Sequence, residues 1–322
     1  MDFQILISNL TNPTLLYFLL GVIASIVKSD LEIPASSSKF IALYLLFSIG
    51  FKGGQELTHS EFDIEIVYSI LFGVGLSIAI PLYTFFILKK KLSINDSGAI
   101  AASYGSVSAV TFVAAVSFLE TRGMTSDGYM VAVMALMESP AIIVGVILIM
   151  LFQKEARTPG HLSKIIKHSF TNGSVLMITG SLIIGLIAEA KQAEGIKPFT
   201  TDIFKGFLAI FLLEMGMITA KRFNAFRKYG LFVFAFAVLI PLINGCLVAI
   251  LSGLFLTDPA NRFIFAILAA SASYIAVPAA MTLAAPKADP GLYIPMAIGV
   301  TFPFNITIGI PVYFYCVNLN LF

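Results

Sequence analysis

The chain has 322 residues, of which 58% are apolar and 12% charged, with a formal net charge of +2. Soluble domains carry about 25% charged residues, so 20 basic and 18 acidic side chains are too few to cover a soluble globule, and a mean hydropathy of +0.94 excludes a disordered chain. Two cysteines, Cys246 and Cys316, both within apolar stretches, exclude a disulfide scaffold, and the absence of a basic stripe argues against a nucleic-acid partner.

Ten apolar segments follow one another. At about 20 residues per span they account for most of the chain. Helix is expected throughout, because exposed strands leave backbone groups unpaired in lipid. The leading Met1-Asp2-Phe3 lacks the basic region of a cleavable signal peptide. Segment 1 is 12–27. Segment 2, 34–51, runs into Lys52-Gly53-Gly54. Segment 3, 64–88, contains Pro81 and ends at Lys89-Lys90-Lys91. Segment 4, 97–119, carries Ser103-Tyr104-Gly105-Ser106-Val107-Ser108-Ala109-Val110-Thr111. Segment 5, 127–152, contains Met137-Glu138-Ser139-Pro140. A cytoplasmic linker, 153–171, holds Lys154, Arg157, Lys164 and Lys167. Segments 6 and 7 are 172–190 and 203–220, the latter with Glu214 and a basic tail of Lys221, Arg222, Arg227 and Lys228. Segment 8, 229–255, has Pro241 and Asn244. Segment 9, 261–284, has Ser271-Ala272-Ser273-Tyr274-Ile275-Ala276-Val277-Pro278. Segment 10, 291–317, has Pro303 and Asn305.

The basic clusters after segments 3, 5 and 7 alternate onto one side of a membrane. If that side is the cytoplasm, both termini lie outside, in an inner membrane. Of the 20 basic residues, 14 then fall inside, and Lys52, Arg122, Lys191, Lys197, Lys205 and Arg262 fall outside.

The halves 1–152 and 172–322 look like weak copies. Gly50 matches Gly216, Pro81 matches Pro241, Ala101 matches Ala269 and Pro140 matches Pro303, at offsets of 166, 160, 168 and 163. Five spans is an odd number, so the second copy is inverted. An inverted five-plus-five repeat is a secondary-transporter architecture. The expected fold is therefore an all-α polytopic membrane protein of ten helices.

Segments 4 and 9 are rich in small and hydroxyl residues near mid-span. Gly105 permits a break there, and Pro278 suits the first turn of a new helix. Both segments are expected to unwind and cross, so that two half-helix N-termini face each other. Each such end carries roughly half a positive charge, which makes an anion site without Lys or Arg. Ser106, Ser108 and Thr111 add hydroxyls. The competing explanation is close helix packing by small residues. Glu138 is a carboxylate deep in a span and a functional candidate by that fact. It is expected to hold Na⁺ with Ser139, together with Ser103, Ser271 and Asn305; the alternative is a protonated, hydrogen-bonded glutamate. Glu214 is assigned a structural or gate role. Asn244 reads equally as packing glue. His59, His161 and His168 lie in loops without metal spacing. There is no G-x-x-x-x-G-K-[ST], G-x-S-x-G or H-E-x-x-H, so neither ATP-driven transport nor hydrolytic catalysis is expected.

Ile49-Gly50-Phe51-Lys52-Gly53-Gly54, Gly105-Ser106-Val107-Ser108, Met137-Glu138-Ser139-Pro140-Ala141, Ala270-Ser271-Ala272-Ser273 and Gly309-Ile310-Pro311-Val312, in this order, resemble the sodium-dependent bicarbonate transporter family. The resemblance runs from about Leu15 to Tyr313. It implies ten helices with a gate domain (segments 1, 2, 6 and 7) and a core domain (segments 3–5 and 8–10), usually as a homotrimer. It places bicarbonate near the crossing, at Gly105, Ser106, Val107, Ser108 and Thr111 and from Ser271 through Ser273, Tyr274, Ile275 and Ala276 to Val277, with Na⁺ co-transported. The chain departs from cyanobacterial members in three ways. Tyr274 stands where they have an aspartate, and Ala276-Val277-Pro278-Ala279 where they have Ser-Gly-Pro-Pro. Glu138 replaces an aspartate. The linker is short, which leaves open a PII-like regulatory partner. Tyr274 leaves the anion and the Na⁺ stoichiometry open. The expected function is Na⁺-coupled transport of a small anion, bicarbonate first. An organic-anion transporter of the bile-acid-symporter kind and a non-transporting anion-binding membrane module are the alternatives.

Overall fold

Apolar segment by apolar segment, the chain folds into helix. The structure, a computed structural model, describes residues 12–58, 63–153, 171, 173–226 and 230–319. The helices are α1 (Pro13–Ile26), α2 (Ala35–Leu57), α3 (Ile64–Leu88), α4 (Ile94–Gly105), α5 (Ala109–Glu120), α6 (Tyr129–Phe152), α7 (Gly173–Ile187), α8 (Ala190–Glu194), α9 (Phe204–Phe226), α10 (Leu231–Leu251), α11 (Pro259–Ala270), α12 (Ala276–Ala284) and α13 (Pro290–Val317). No strand occurs among the described residues. Among the described residues six runs are long and apolar enough to cross a membrane: α3, α4 with α5 as Ile94–Glu120, α6, Pro198–Lys221, Leu231–Leu254 and α13; Leu15–Ile26, Val175–Ile187 and Pro259–Ala270 are shorter apolar helices. The protein is thus an all-α, multi-helix, membrane-spanning protein.

Loop residues start the helices. Ser93, Ser108, Asp258 and Asp289 each accept an amide of the turn they precede, capping α4, α5, α11 and α13, which satisfies donors that the helix itself leaves open. Proline shapes α13. Pro295, Pro303 and Pro311 fall in it, and wide π-type turns occupy Ala297–Thr301 and Asn305–Gly309. Each proline removes an amide donor, and a wider turn relieves the clash of its ring with the preceding turn.

Two helix pairs depend on glycine. A Cβ on Gly21 of α1 would collide with the carbonyl of Leu213 in α9, and one on Gly216 with the carbonyl of Phe18 in α1. Gly50 of α2 and Gly185 of α7 meet the carbonyls of Ile178 and Phe51 in the same way. Backbones in lipid approach this closely only where side chains are absent. Helices α3, α4 and α6 pack as one group, and α10, α11 and α13 as another. The half-helices exchange partners between these groups: α5 packs on α11, and α12 on α4 and α6.

Polar contacts tie distant loops together at the helix ends. Asp96 accepts the amide of Asp289 (2.7 Å). Asn261 donates to Asp127 (2.6 Å) and accepts its amide (2.8 Å). Helix α9 runs further than expected, to Phe226. The stretch before it, expected as loop, forms α8 and a wide turn at Pro198–Asp202. Most of the linker (154–170), the three histidines, and Arg227 and Lys228 lie outside the described residues.

Candidate functional site: the crossing of two interrupted helices

Segments 4 and 9 both break. Helix α4 ends at Gly105 and α11 at Ala270, and the next residues, Ser106 (φ −82°, ψ −177°) and Ser271 (φ −86°, ψ 165°), are extended. Small residues let the two ends meet: Ala101, Ala102, Ser103, Ala269, Ala270 and Ser271 are all at most 1% exposed. Gly105 lies so close to the Pro81 ring of α3 that no Cβ fits. Three hydrogen bonds join the interruptions. Ser103 Oγ donates to the Ser273 carbonyl (2.5 Å), the Ser273 amide donates to the Ser103 carbonyl (2.8 Å), and the Ser108 amide donates to Ser271 Oγ (3.0 Å).

The last carbonyls of α11 lack the donor four residues on that a continued helix would supply; Leu268 keeps only a long bond from the Ser271 amide (3.4 Å), and side chains supply the rest. Leu268 receives the Ser271 hydroxyl (3.0 Å), Ala269 the Asn244 amide (3.3 Å) and Ala270 the Asn305 amide (2.7 Å). Asn244 and Asn305 are held in turn by the hydroxyls of Tyr83 (2.5 Å) and Tyr313 (2.9 Å). On the other side, Thr301 donates to the Ala237 carbonyl (2.7 Å), so the Tyr104 hydroxyl is the donor in its 2.7 Å bond to Thr301.

The beginnings of the second half-helices are different. In α5, Ser108 Oγ accepts the Thr111 amide (3.2 Å) and the Ser108 carbonyl that of Phe112 (3.0 Å), which leaves the Ala109 and Val110 amides without an acceptor among the described residues. In α12, Ile275 supplies no side-chain cap, and the amides of Ala276 and Val277 are likewise open. The open N–H groups of two helix starts, those of Val110, Ala276 and Val277 on buried residues, thus stand next to the crossing, the arrangement that favours negative charge.

Beside them lies a cavity of about 20 Å³, lined by Val107, Ser108, Glu138, Ser273, Tyr274 and Ile275, with Leu46 of α2 and Ile178 of α7 closing it. It has room for about one water-sized particle. Glu138 is 8% exposed and makes no hydrogen bond or ion pair among the described residues. The Tyr274 hydroxyl, Ser106 Oγ and Glu214 Oε2 are buried without hydrogen-bond partners. The Tyr274 ring meets Phe302 edge-on (6.0 Å).

Of the expected site residues, Val107, Ser108, Ser273, Tyr274, Ile275 and Glu138 share this cavity. Gly105 and Ser106 form the end of α4, Thr111 the first turn of α5, and Ala276 and Val277 the first turn of α12. Ser103 and Ser271 are engaged in the crossing, and Asn305 in clamping Ala270. Ser139 is buried in α6. None of these last four lines the cavity.

A family model described as the Na⁺-dependent bicarbonate transporter superfamily matches residues 13–318. The chain belongs to this superfamily. It is a family of sodium-coupled anion transporters and not of catalytic enzymes. No curated protein matches the chain in a sequence comparison. Among the described residues no three His, Cys, Asp or Glu side chains gather to hold a metal. The clamping by Asn244 and the Tyr104–Thr301 bond were not evident from sequence. Their partners lie 25 and 197 residues away, beyond any local pattern.

Proposed function

We propose that the protein moves bicarbonate with Na⁺ across an inner membrane by alternating access. The observation that carries this reading is the joined pair of helix interruptions, which sets four open amides (Ala109, Val110, Ala276, Val277) at the crossing, where Ala109 and Ile275, the residue before α12, line the cavity that contains Glu138. In this reading the anion binds at Gly105, Ser106, Val107, Ser108, Thr111 and Ser273 to Val277. Na⁺ is held by Glu138 and Ser139 with oxygens from the crossing. Ser103, Ser271 and Asn305 become ligands by exchanging the hydrogen bonds they now make. Bicarbonate has four heavy atoms and needs more room than the present cavity offers, so the walls from α2 and α7 have to draw back to admit it.

An inverted repeat within ten spans is supported by the matched halves. Helices α4 and α11 are 12 residues each, with both ends offset by 165, and their caps Ser93 and Asp258 are offset by the same number. Gly21 and Gly185, offset by 164, and Gly50 and Gly216, offset by 166, make the same carbonyl contacts in the exchanged helix pairs, α1 with α9 and α7 with α2. In this reading α1, α2, α7 and α9 form the gate, and α3–α6 with α10–α13 the core. The loop contacts fit the span count: Asp96 with Asp289 falls on the assigned cytoplasmic side, Asp127 with Asn261 on the outer side. A homotrimer, outward termini and an altered or absent PII-like partner belong to the same reading.

A tenfold Na⁺ gradient supplies about 1.4 kcal/mol, enough for a tenfold anion gradient at one Na⁺ per anion. Each further Na⁺ adds about 2.3 kcal/mol per 100 mV. The test is labelled bicarbonate uptake into proteoliposomes under an inward Na⁺ gradient. Accumulation above the choline control is expected; equal uptake in Na⁺ and choline removes the coupling. Tyr274, with its ring in the cavity and its hydroxyl unpaired, favours a second reading in which a larger organic anion is carried. Competition of uptake by a panel of carboxylates separates the two.

A further inference from the structure

Away from the crossing, a second cavity of about 260 Å³ opens between α2, the far end of α5 and the start of α9. Helix α5 links the two places. It starts at the crossing with Ala109 and reaches this cavity with Val116 and Glu120, about 16 Å further along at 1.5 Å per residue. Glu120 is the last residue of α5, where the helix dipole disfavours a carboxylate. Two lysines compensate. Its Oε1 lies 3.1 Å from Lys52 Nζ, on α2, and its Oε2 lies 3.1 Å from Lys205 Nζ, on α9. One carboxylate is held with each oxygen on a different ammonium.

From this we infer that Lys52 and Lys205 form an anion-capture site for a carboxylate-shaped oxyanion, and that Glu120 is its tethered occupant, displaced by the incoming anion. The inference rests on the transport reading above.

Bicarbonate presents the same O–C–O edge as Glu120, at the same charge. The lysines remain accessible, with side chains 40% and 56% exposed, and exposed lysine–carboxylate pairs are weak, so the tether can be exchanged. With Glu120 swung out, both ammonium groups of Lys52 and Lys205 face the cavity across from Asp202, with Glu56 one turn along α2 from Lys52 as the other nearby carboxylate. A second donor faces the same space. Ser48 lines the cavity, is 1% exposed, and its hydroxyl has no hydrogen-bond partner; the Tyr44 hydroxyl, one turn earlier, donates instead to the Phe199 carbonyl (2.5 Å). Because Glu120 belongs to α5 and the lysines to α2 and α9, the same exchange removes the ion pairs between α5 and those two helices.

The test combines transport with a readout that needs none. In proteoliposomes, Glu120→Gln is expected to lower the KM for bicarbonate about threefold or more, and Lys52→Met with Lys205→Met to raise it by a similar factor. In purified protein, the acylation rates of Lys52 and Lys205 by an amine-reactive ester are followed by mass spectrometry, with exposed Lys191 as reference. Both lysines are expected to react faster in Glu120→Gln, and bicarbonate is expected to slow them selectively. Wild-type uptake together with an unchanged KM and no bicarbonate protection in Glu120→Gln overturns the capture site and leaves the transport reading standing. Protection without uptake by any variant keeps the capture site and overturns transport. A raised maximal rate with unchanged KM and no protection reduces the cluster to a mechanical tie and also overturns the proposal.

Discussion

Replacing Ser271 with alanine tests whether the crossing is held by side-chain hydrogen bonds. Ser271 Oγ accepts the Ser108 amide and donates to the Leu268 carbonyl, each at 3.0 Å, in a site 1% exposed. The substitution deletes both bonds, while losing one oxygen opens little space. In membrane proteins such bonds average about 0.6 kcal/mol and reach about 1.7 kcal/mol, so a loss of about 1–3 kcal/mol is expected. Ser103→Ala deletes one bond, to the Ser273 carbonyl, while the backbone bond between the same residues survives; its expected cost is about 0.6–1.7 kcal/mol. The assay is unfolding in mixed micelles by titration with a denaturing detergent. Helix content serves as signal, since the chain has no tryptophan. The two substitutions touch one network, so the double variant should depart from additivity by about 0.5 kcal/mol or more. If Ser271→Ala costs no more than Ser103→Ala, or both cost under about 0.3 kcal/mol, the bonds do not hold the crossing and the reasoning fails.

Two further outcomes are expected. Glu138→Gln keeps the shape of the side chain in the cavity but removes its charge, and should weaken the Na⁺ dependence of uptake while leaving helix content unchanged; wild-type Na⁺ dependence in that variant removes Glu138 from the ion site. Gly216→Leu drives a side chain into the Phe18 carbonyl of α1 and should cost about 1–3 kcal/mol or more, read as lower detergent resistance, whereas Gly180→Leu, with open space around its Cβ position, should cost little.

The parts of this fold readable from sequence are those encoded locally. The interruption after Gly105 and the one at Ser271 could be placed within a few residues, because small residues and hydroxyls mark them in both halves. What escaped depends on partners far apart in the chain. Glu120 and Lys52 are 68 residues apart, and nothing near either announces the other. Asn244 looked like packing glue, and only the end of α11, with three carbonyls needing donors, gives it a specific task. The wide turns of α13 follow from three prolines whose effect on the helix depends on how α10 and α9 pack against it. The stretch before α9 is too short and mixed for periodicity to mark as helical.

The central claim is that open amides at the starts of α5 and α12 gather a small anion. An experimental structure determined in saturating bicarbonate and Na⁺, compared with one in a large inert anion, tests it most directly. The account predicts oxyanion density within hydrogen-bond distance of the amides of Ala109 or Val110 and of Ala276 or Val277, in a cavity enlarged beside Glu138. Helix running unbroken through Ser106–Ser108 or Ser271–Ile275, or an anion bound elsewhere while the crossing stays closed and dry, contradicts it.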